Sequence, residues 1–294
     1  MAKNMTATIL TARPAVEQIK KELIERCQRL KKQGITPSMS VILVGDNPAS
    51  LSYIRNKKKL CEEVGAHFQL HQWPANISVS EFLMKTEALN TDQNIHGIII
   101  QLPVSEHLRN LDIPHLISAH KDIDGFHGAN TQKLYMGSTD MSLLTPCTPK
   151  GVITLLKHYK LSLEGKHVVV VGRSLIVGKP LSMLLSNFNA TVTLAHSRSE
   201  NLKSLTQQAD IVISAIGQAN FFDATFFDKN KRTIVIDVGM NTLNGKLVGD
   251  VNQADVMPVV AALSPVPGGV GPMTVLSLIQ NLITATENQM KGKK

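Results

Sequence analysis

His167-Val168-Val169-Val170-Val171-Gly172-Arg173-Ser174-Leu175-Ile176-Val177-Gly178-Lys179-Pro180 decides how the chain is read. The valine run is apolar on both faces, the pattern of a parallel strand covered by helices. Gly172 turns the chain, and residues 181–187 continue in a helical pattern. Strand, glycine turn and helix start together make an anion site, because unpaired backbone N–H groups at a helix start point toward a ligand. The two glycines are not spaced as Gly-x-Gly-x-x-Gly, so this stretch by itself does not name the ligand.

Outward from it, short apolar and β-branched runs at 40–45, 96–102, 190–195, 209–217 and 233–239 alternate with helical patterns. That alternation predicts α/β architecture. At roughly 150 residues per domain, the 294 residues hold two domains. Gly137, Ser138, Thr139, Pro146 and Pro149 interrupt regular patterning over 135–150, and 264–272 is a second Pro/Gly-rich break. Residues 273–287 then read as a helix with an apolar face of Val275, Leu276, Leu278, Ile279, Leu282 and Ile283. The expectation is a first α/β domain over 1–142 and a second, Rossmann-like doubly wound parallel sheet over 143–272. The closing helix, 273–294, is expected to return to the first.

The second strand of the nucleotide half sharpens the ligand. Thr191-Val192-Thr193-Leu194-Ala195-His196-Ser197-Arg198 follows Gly172 by one helix. An NAD-specific site places a carboxylate near this strand end to bind the ribose hydroxyl. Ser197 and Arg198 stand here instead, with Arg173 on the first loop. Hydroxyl and guanidinium groups suit a 2′-phosphate, which a carboxylate would repel. The reading is NADP. The strand ends Ser214-Ala215-Ile216-Gly217 and Asp237-Val238-Gly239 would line the trough, although plain strand-to-turn geometry accounts for them equally.

Bulk composition excludes other classes. The net charge of +8 reads as a lysine-rich surface with a solvated tail (Lys291, Lys293, Lys294) or as a match for a polyanionic small molecule. Nucleic acid is disfavoured by the 4% aromatic content and the absence of a basic stripe. No apolar run approaches the ~20 residues that cross a bilayer, and the opening Met1-Ala2-Lys3-Asn4-Met5-Thr6 has no signal-peptide pattern. The expected location is the cytoplasm. Cys27, Cys61 and Cys147 form no Cys-x-x-Cys pair, and His67 and His71 alternate as a strand would, so no disulfide framework and no metal is expected.

A lysine stands on the wrong face of a helix. After the strand at 40–45, Asp46-Asn47-Pro48 is turn chemistry, and a helix from about Ser50 stops before Gly65. At 100° per residue, Tyr53, Lys57, Leu60, Cys61 and Val64 share one arc, and Arg55, Lys58, Lys59 and Glu62 lie opposite. Lys57 either snorkels to the edge or faces a cleft, where low dielectric drives an amine toward the neutral form that accepts protons. Gln101 ends the strand at 96–102, the edge where ligands gather in open α/β sheets. Lys121-Asp122-Ile123-Asp124-Gly125 places two carboxylates before a glycine, which by itself reads as an Asp-Gly turn.

Six pieces in order give the chain a resemblance to the bifunctional methylenetetrahydrofolate dehydrogenase/cyclohydrolase family, from about Val41 to Leu278. They are Tyr53-x-x-x-Lys57, Gln101-Leu102-Pro103, Lys121-Asp122-Ile123-Asp124-Gly125, Pro146-Cys147-Thr148-Pro149, Gly172-Arg173-Ser174-x-x-Val177-Gly178-x-Pro180 and the run from Pro265 to Thr274. The resemblance implies a folate-binding catalytic domain, an NADP-binding domain and an active-site cleft between them. It implies Lys57 as the catalytic lysine, Gln101 holding it, Tyr53 stacking on folate and Asp124 bonding the pterin. Pro265, Gly268, Gly269 and Pro272 would close over the substrate. Gly172, Arg173, Ser174, Val177, Gly178, Ser197, Gly217 and Val238 would contact NADP, with Arg173, Ser174 and Ser197 on its phosphates. It further implies tetrahydrofolate substrates, polyglutamylated forms among them, a homodimer paired through the nucleotide domain, and one-carbon metabolism that feeds purine biosynthesis.

The chain departs from that family's pattern in places. Gly217-Gln218-Ala219-Asn220-Phe221 replaces Gly-Lys-Pro-x-Phe, which bears on cofactor affinity, and Asn252 and Ser264 replace the usual Asp and Thr. Rival readings are a dehydrogenase that lacks the hydrolase activity or uses NAD, and a non-catalytic dinucleotide-binding regulator on the same fold. Tyr53, Lys57, Gln101 and Asp124 present together argue against the regulator.

Overall fold

The apolar runs pair edge to edge into two parallel sheets, each in its own compact unit. The computed structural model describes residues 7–291, so the opening Met1 to Thr6 and the tail residues Lys293 and Lys294 lie outside the described residues. In chain order the strands are β1 (Thr8–Ile9), β2 (Ser38–Val44), β3 (His67–Trp73), β4 (Gly97–Ile100), β5 (His167–Val171), β6 (Thr191–Ala195) and β7 (Ile211–Ser214). They continue with β8 (Ile234–Asp237), a hairpin of β9 (Asn241–Leu243) and β10 (Lys246–Val248), and β11 (Ala262–Leu263).

One unit comprises Glu17–Lys133, Asp140–Cys147 and the chain from Val275 onward. Its sheet runs β3-β2-β4, all parallel, with Ile42 facing His71 on one side and Ile100 on the other. Every residue of β2 and β4 is buried, β2 between two strands and β4 at the sheet's edge. Ile42, Val44, Trp73, Phe82, Ile98 and Ile100 form the core, where the Trp73 and Phe82 rings meet edge to face at 5.5 Å. A parallel bridge from Ile98 to Asp122 brings the Asp122–Asp124 segment alongside β4.

The helix Pro48–Glu63 starts where expected and for local reasons. Asn47 Oδ1 accepts from the backbone N–H of Ala49 and Ser50 at 3.0 and 3.1 Å, and Pro48 occupies the first turn, where no N–H is needed. It ends at Val64 and Gly65, the glycine at φ +86°.

The other unit comprises the chain up to Val16, Leu134–Thr139 and Thr148–Thr274. Its six strands are ordered β1-β11-β8-β7-β5-β6 and are parallel throughout. The chain leaves β5 for β6 on one side and returns to β7 on the other, so the doubly wound topology switches between β5 and β7. Ligands of such sheets bind at that point.

The structure departs from the expected division at its edges. Thr8 and Ile9, assigned to a first domain over 1–142, pair with Ala262 and Leu263 in the six-stranded sheet. Residues 134–139 also group with that unit, and 140–147 with the other, so 142–143 is not the boundary. The run at 209–217 is a strand only over Ile211–Ser214, because Ala215 onward turns at the sheet edge. The closing helix begins at Val270, inside the glycine-rich loop, and runs to Lys291. Among the described residues no helix is long and apolar enough to cross a membrane.

Candidate active site

Lys57 is half-buried on a helix face it shares with buried Ile54, Leu60 and Cys61. Its Nζ donates to Gln101 Oε1 at 2.9 Å. Gln101 follows β4, and its backbone N–H donates to the Ile42 carbonyl at 2.8 Å, which holds it against the neighbouring strand. Its side-chain Nε2 donates to the Leu102 carbonyl at 2.8 Å. With the amide nitrogen tied down, the oxygen must face the lysine, since a flipped amide would oppose two donors. Lys57 is therefore held by a strand end rather than extended along the surface. Tyr53, one helical turn earlier, is half-buried, and burial raises its phenol above the ordinary range.

The two aspartates beside β4 do different things. Asp122 is buried, its Oδ1 accepting from Gly125 N–H at 3.0 Å and its Oδ2 from His127 N–H and Asn130 Nδ2 at 2.8 and 3.0 Å. It shapes the turn. Asp124 is the half-buried one. Burial pushes its carboxyl up and the Lys57 charge pulls it down; the Asp122 charge raises it and a hydrogen bond from Cys147 lowers it, leaving it above the ordinary carboxylate value. Gly125 carries φ +80°, and a Cβ there would lie 2.5 Å from the Thr145 carbonyl carbon and 2.6 Å from Pro146 N. Only glycine lets the turn lie this close.

Asn281, which pattern reading passed over, fixes the same segment. It is fully buried, and its Nδ2 donates to the carbonyls of Ile123 and Thr145, both at 2.8 Å. A polar residue inside the apolar stripe of the closing helix is the same signal that singles out Lys57.

In the other unit, the expected nucleotide residues collect at the carboxyl ends of parallel strands. Gly172 follows β5 at φ +124°, and a Cβ on it would overlap the Ala215 carbonyl just past β7. A Cβ on Gly178 would overlap the Gly172 carbonyl. The loop thus lies flat across the switch point, and its glycines are required by contact with backbone. Ser174 Oγ accepts from Val177 N–H at 3.1 Å, within the loop. Arg173, Ser174, Ser197 and Arg198 are exposed, and Val177 and Val238 half-buried. Gly217 has φ +72° and open space beside it. A flat glycine cradle, exposed hydroxyl and guanidinium groups, and no carboxylate at 197–198 fit a phosphorylated dinucleotide.

Pro265, Gly268, Gly269 and Pro272 belong to this same unit, in the loop and first helical turn after β11. The Gly268 carbonyl accepts from Ala12 N–H at 2.8 Å, and a Cβ on buried Gly269 would lie 2.5 Å from the Pro265 carbonyl oxygen. The structure thus joins Lys57, Gln101 and Asp124 in one unit and places these loop residues with the nucleotide set in the other. All three cysteines are buried thiols, and among the described residues no group of three or more His, Cys, Asp or Glu is placed to hold a metal.

Comparison with known proteins gives two family matches: the tetrahydrofolate dehydrogenase/cyclohydrolase catalytic domain over residues 10–124, and the NAD(P)-binding domain of the same name over 146–290. The bifunctional protein FolD of Ligilactobacillus salivarius is 44% identical over 290 residues, covering 98% of this chain and 100% of that protein. The crystal structure of the bifunctional FolD methylenetetrahydrofolate dehydrogenase/cyclohydrolase from Campylobacter jejuni superposes with a TM-score of 0.92 at 41% identity, covering 96% of this chain and 99% of that one. That of the Trypanosoma brucei dehydrogenase-cyclohydrolase, complexed with NADP cofactor and inhibitor, gives 0.89 at 31% identity, covering 97% and 99%.

Proposed function

This chain belongs to the tetrahydrofolate dehydrogenase/cyclohydrolase family, and from that membership we infer the reaction it runs and the residues that carry it. It is a bifunctional enzyme of one-carbon metabolism. It oxidises 5,10-methylenetetrahydrofolate to 5,10-methenyltetrahydrofolate with NADP, then hydrolyses the product to 10-formyltetrahydrofolate.

NADP, when bound, supplies the hydride acceptor. The chain's own part in that step is alignment, which needs no acid or base from the protein. Gly172 and Gly178 let the backbone approach the ligand; Arg173, Ser174 and Ser197 take its phosphates. Val177, Gly217 and Val238 line the remaining trough. Tyr53 stacks on the pterin, Asp124 bonds its ring, and Pro265, Gly268, Gly269 and Pro272 contact the folate.

Hydrolysis is where the side chains act. Water adds to the methenyl carbon, and a base must take its proton before the ring opens at N5. Lys57 is that base. The observation that carries the assignment is its 2.9 Å donation to Gln101 Oε1, which fixes one N–H and holds the nitrogen at the strand end. Asp124, whose carboxyl burial raises above its ordinary value, sits beside Lys57 to bond the pterin ring.

The enzyme is proposed to act in the cytoplasm as a homodimer, to accept polyglutamylated folates and to feed purine biosynthesis. One assay tests the reaction: methenyl-tetrahydrofolate absorbance is followed as it forms with NADP or NAD and then decays. Rapid formation with NADP, slower formation with equal NAD, and enzyme-accelerated decay are expected. Equal rates with both cofactors would overturn the NADP reading, and decay at the buffer rate the bifunctional one.

A further inference from the structure

Two buried carboxylates in the six-stranded unit take no part in the chemistry above. Asp237 ends β8 and Asp250 follows the β9–β10 hairpin, and both are wholly shielded from solvent. Asp250 Oδ2 accepts from Ser214 Oγ at 2.8 Å, Ile216 N–H at 2.8 Å and Gly217 N–H at 3.3 Å. Its Oδ1 accepts from Gln218 N–H at 2.9 Å and Asn241 Nδ2 at 3.0 Å. Asp237 Oδ1 accepts from Gly239 N–H and Asp250 N–H at 2.9 and 3.1 Å, and its Oδ2 from Val251 N–H at 2.9 Å.

The space for this arrangement is made by glycine. A Cβ on Gly239 would overlap the Asp250 carboxylate, and one on Gly249 the Asp237 carboxylate. Desolvating a carboxylate is unfavourable, so a buried one persists only where its bonds replace water. Asp250 does so by gathering three successive backbone N–H groups, 216–218, into one concavity. A carboxylate inside such a nest fixes the path of the chain around it.

That path is the loop leaving β7, which adjoins the Gly172 turn through Ala215. Through Asp237, the same pair also fixes the end of β8, where Val238 donates its N–H to the Ser214 carbonyl at 2.9 Å. We propose that Asp250 is a positioning residue for the cofactor: it sets NADP affinity by holding the Gly217 loop, without touching the ligand. The inference rests on the reading of Gly217 and Val238 as part of the NADP trough.

The test is NADP titration of Asp250→Asn, by dehydrogenase kinetics and by the fluorescence of bound NADPH. Asn keeps the shape but opposes one N–H donor to the loop's own. The Kd for NADPH and the KM for NADP should rise about tenfold or more, as loss of charge-assisted bonds implies. The kcat at saturating NADP should stay within about threefold, and hydrolysis of methenyl-tetrahydrofolate without NADP should be retained. A general structural role would lower kcat and hydrolysis together. Unchanged NADP affinity, or a fall in kcat at constant KM, would overturn the inference. Should Asp250→Asn fail to fold, Asn241→Ala removes one donor to the carboxylate. It should raise KM for NADP about two- to fivefold at constant kcat, and no change would likewise overturn the inference. Wild-type protein that does not bind NADPH would instead defeat the underlying cofactor reading.

Discussion

Lys57 stands where a helix packed on a sheet would ordinarily carry a leucine, and Gln101 is what makes that tenable. The amide oxygen at 2.9 Å accepts one Nζ–H and is itself uncharged. Gln101→Glu would put a carboxylate there, and an opposite charge in contact favours the protonated lysine. Hydrolysis at neutral pH should then drop at least tenfold, and the pH–rate profile should move to higher pH. A profile superposing on that of the wild type would remove Gln101 from the role. The contact of Lys57 with Gln101 has a trace in the sequence, because each is a polar group at a position whose period or strand end marks it. Asp124 has none. On pattern alone it reads as turn chemistry, which the structure gives to Asp122 through its bonds to Gly125, His127 and Asn130. Asp250 was missed for a different reason: its partners at 214–218 are distant in sequence.

At the scale of elements, the segment from Asp122 to Gly125 depends on a turn that tolerates no side chain. Gly125→Ala meets both a left-handed φ of +80° and a carbonyl carbon at 2.5 Å. Strain and overpacking together should cost about 2–5 kcal/mol. Denaturant unfolding measures it, and a change below about 0.5 kcal/mol, as at an ordinary surface site, would contradict the geometry. The long apolar runs were legible as strands, since β2, β4, β5 and β7 are almost wholly buried and each carries a run of Val, Ile or Leu. The two-residue strands β1 and β11 were not, because a pair of residues has no period to read. They exist through pairing with β8 and with each other.

For the whole molecule, the two-unit α/β plan was legible from alternation alone, but its division was not, because the chain's first strand joins the sheet of its last. Stability should depend on pH through Asp237, whose carboxyl is pushed up to about 7 from 3.8, first by burial and then by the Asp250 charge against backbone bonds that lower it. Over that window the folded state holds a proton that the unfolded chain releases, so this group's stabilisation is complete at low pH and is lost as pH rises through the folded value. Asp237→Asn should therefore flatten the decline in Tm between about pH 4 and pH 7; an unchanged decline would place the titration elsewhere. The central claim is that one amine serves as the base for hydrolysis while the other unit binds the cofactor independently of it. The measurement that bears on it most directly is methenyl-tetrahydrofolate decay with Lys57→Met, beside NADPH titration of the same sample. Hydrolysis should fall by about 10²- to 10⁴-fold with the Kd for NADPH within twofold of wild type. Decay at the wild-type rate in protein that still binds NADPH would contradict it.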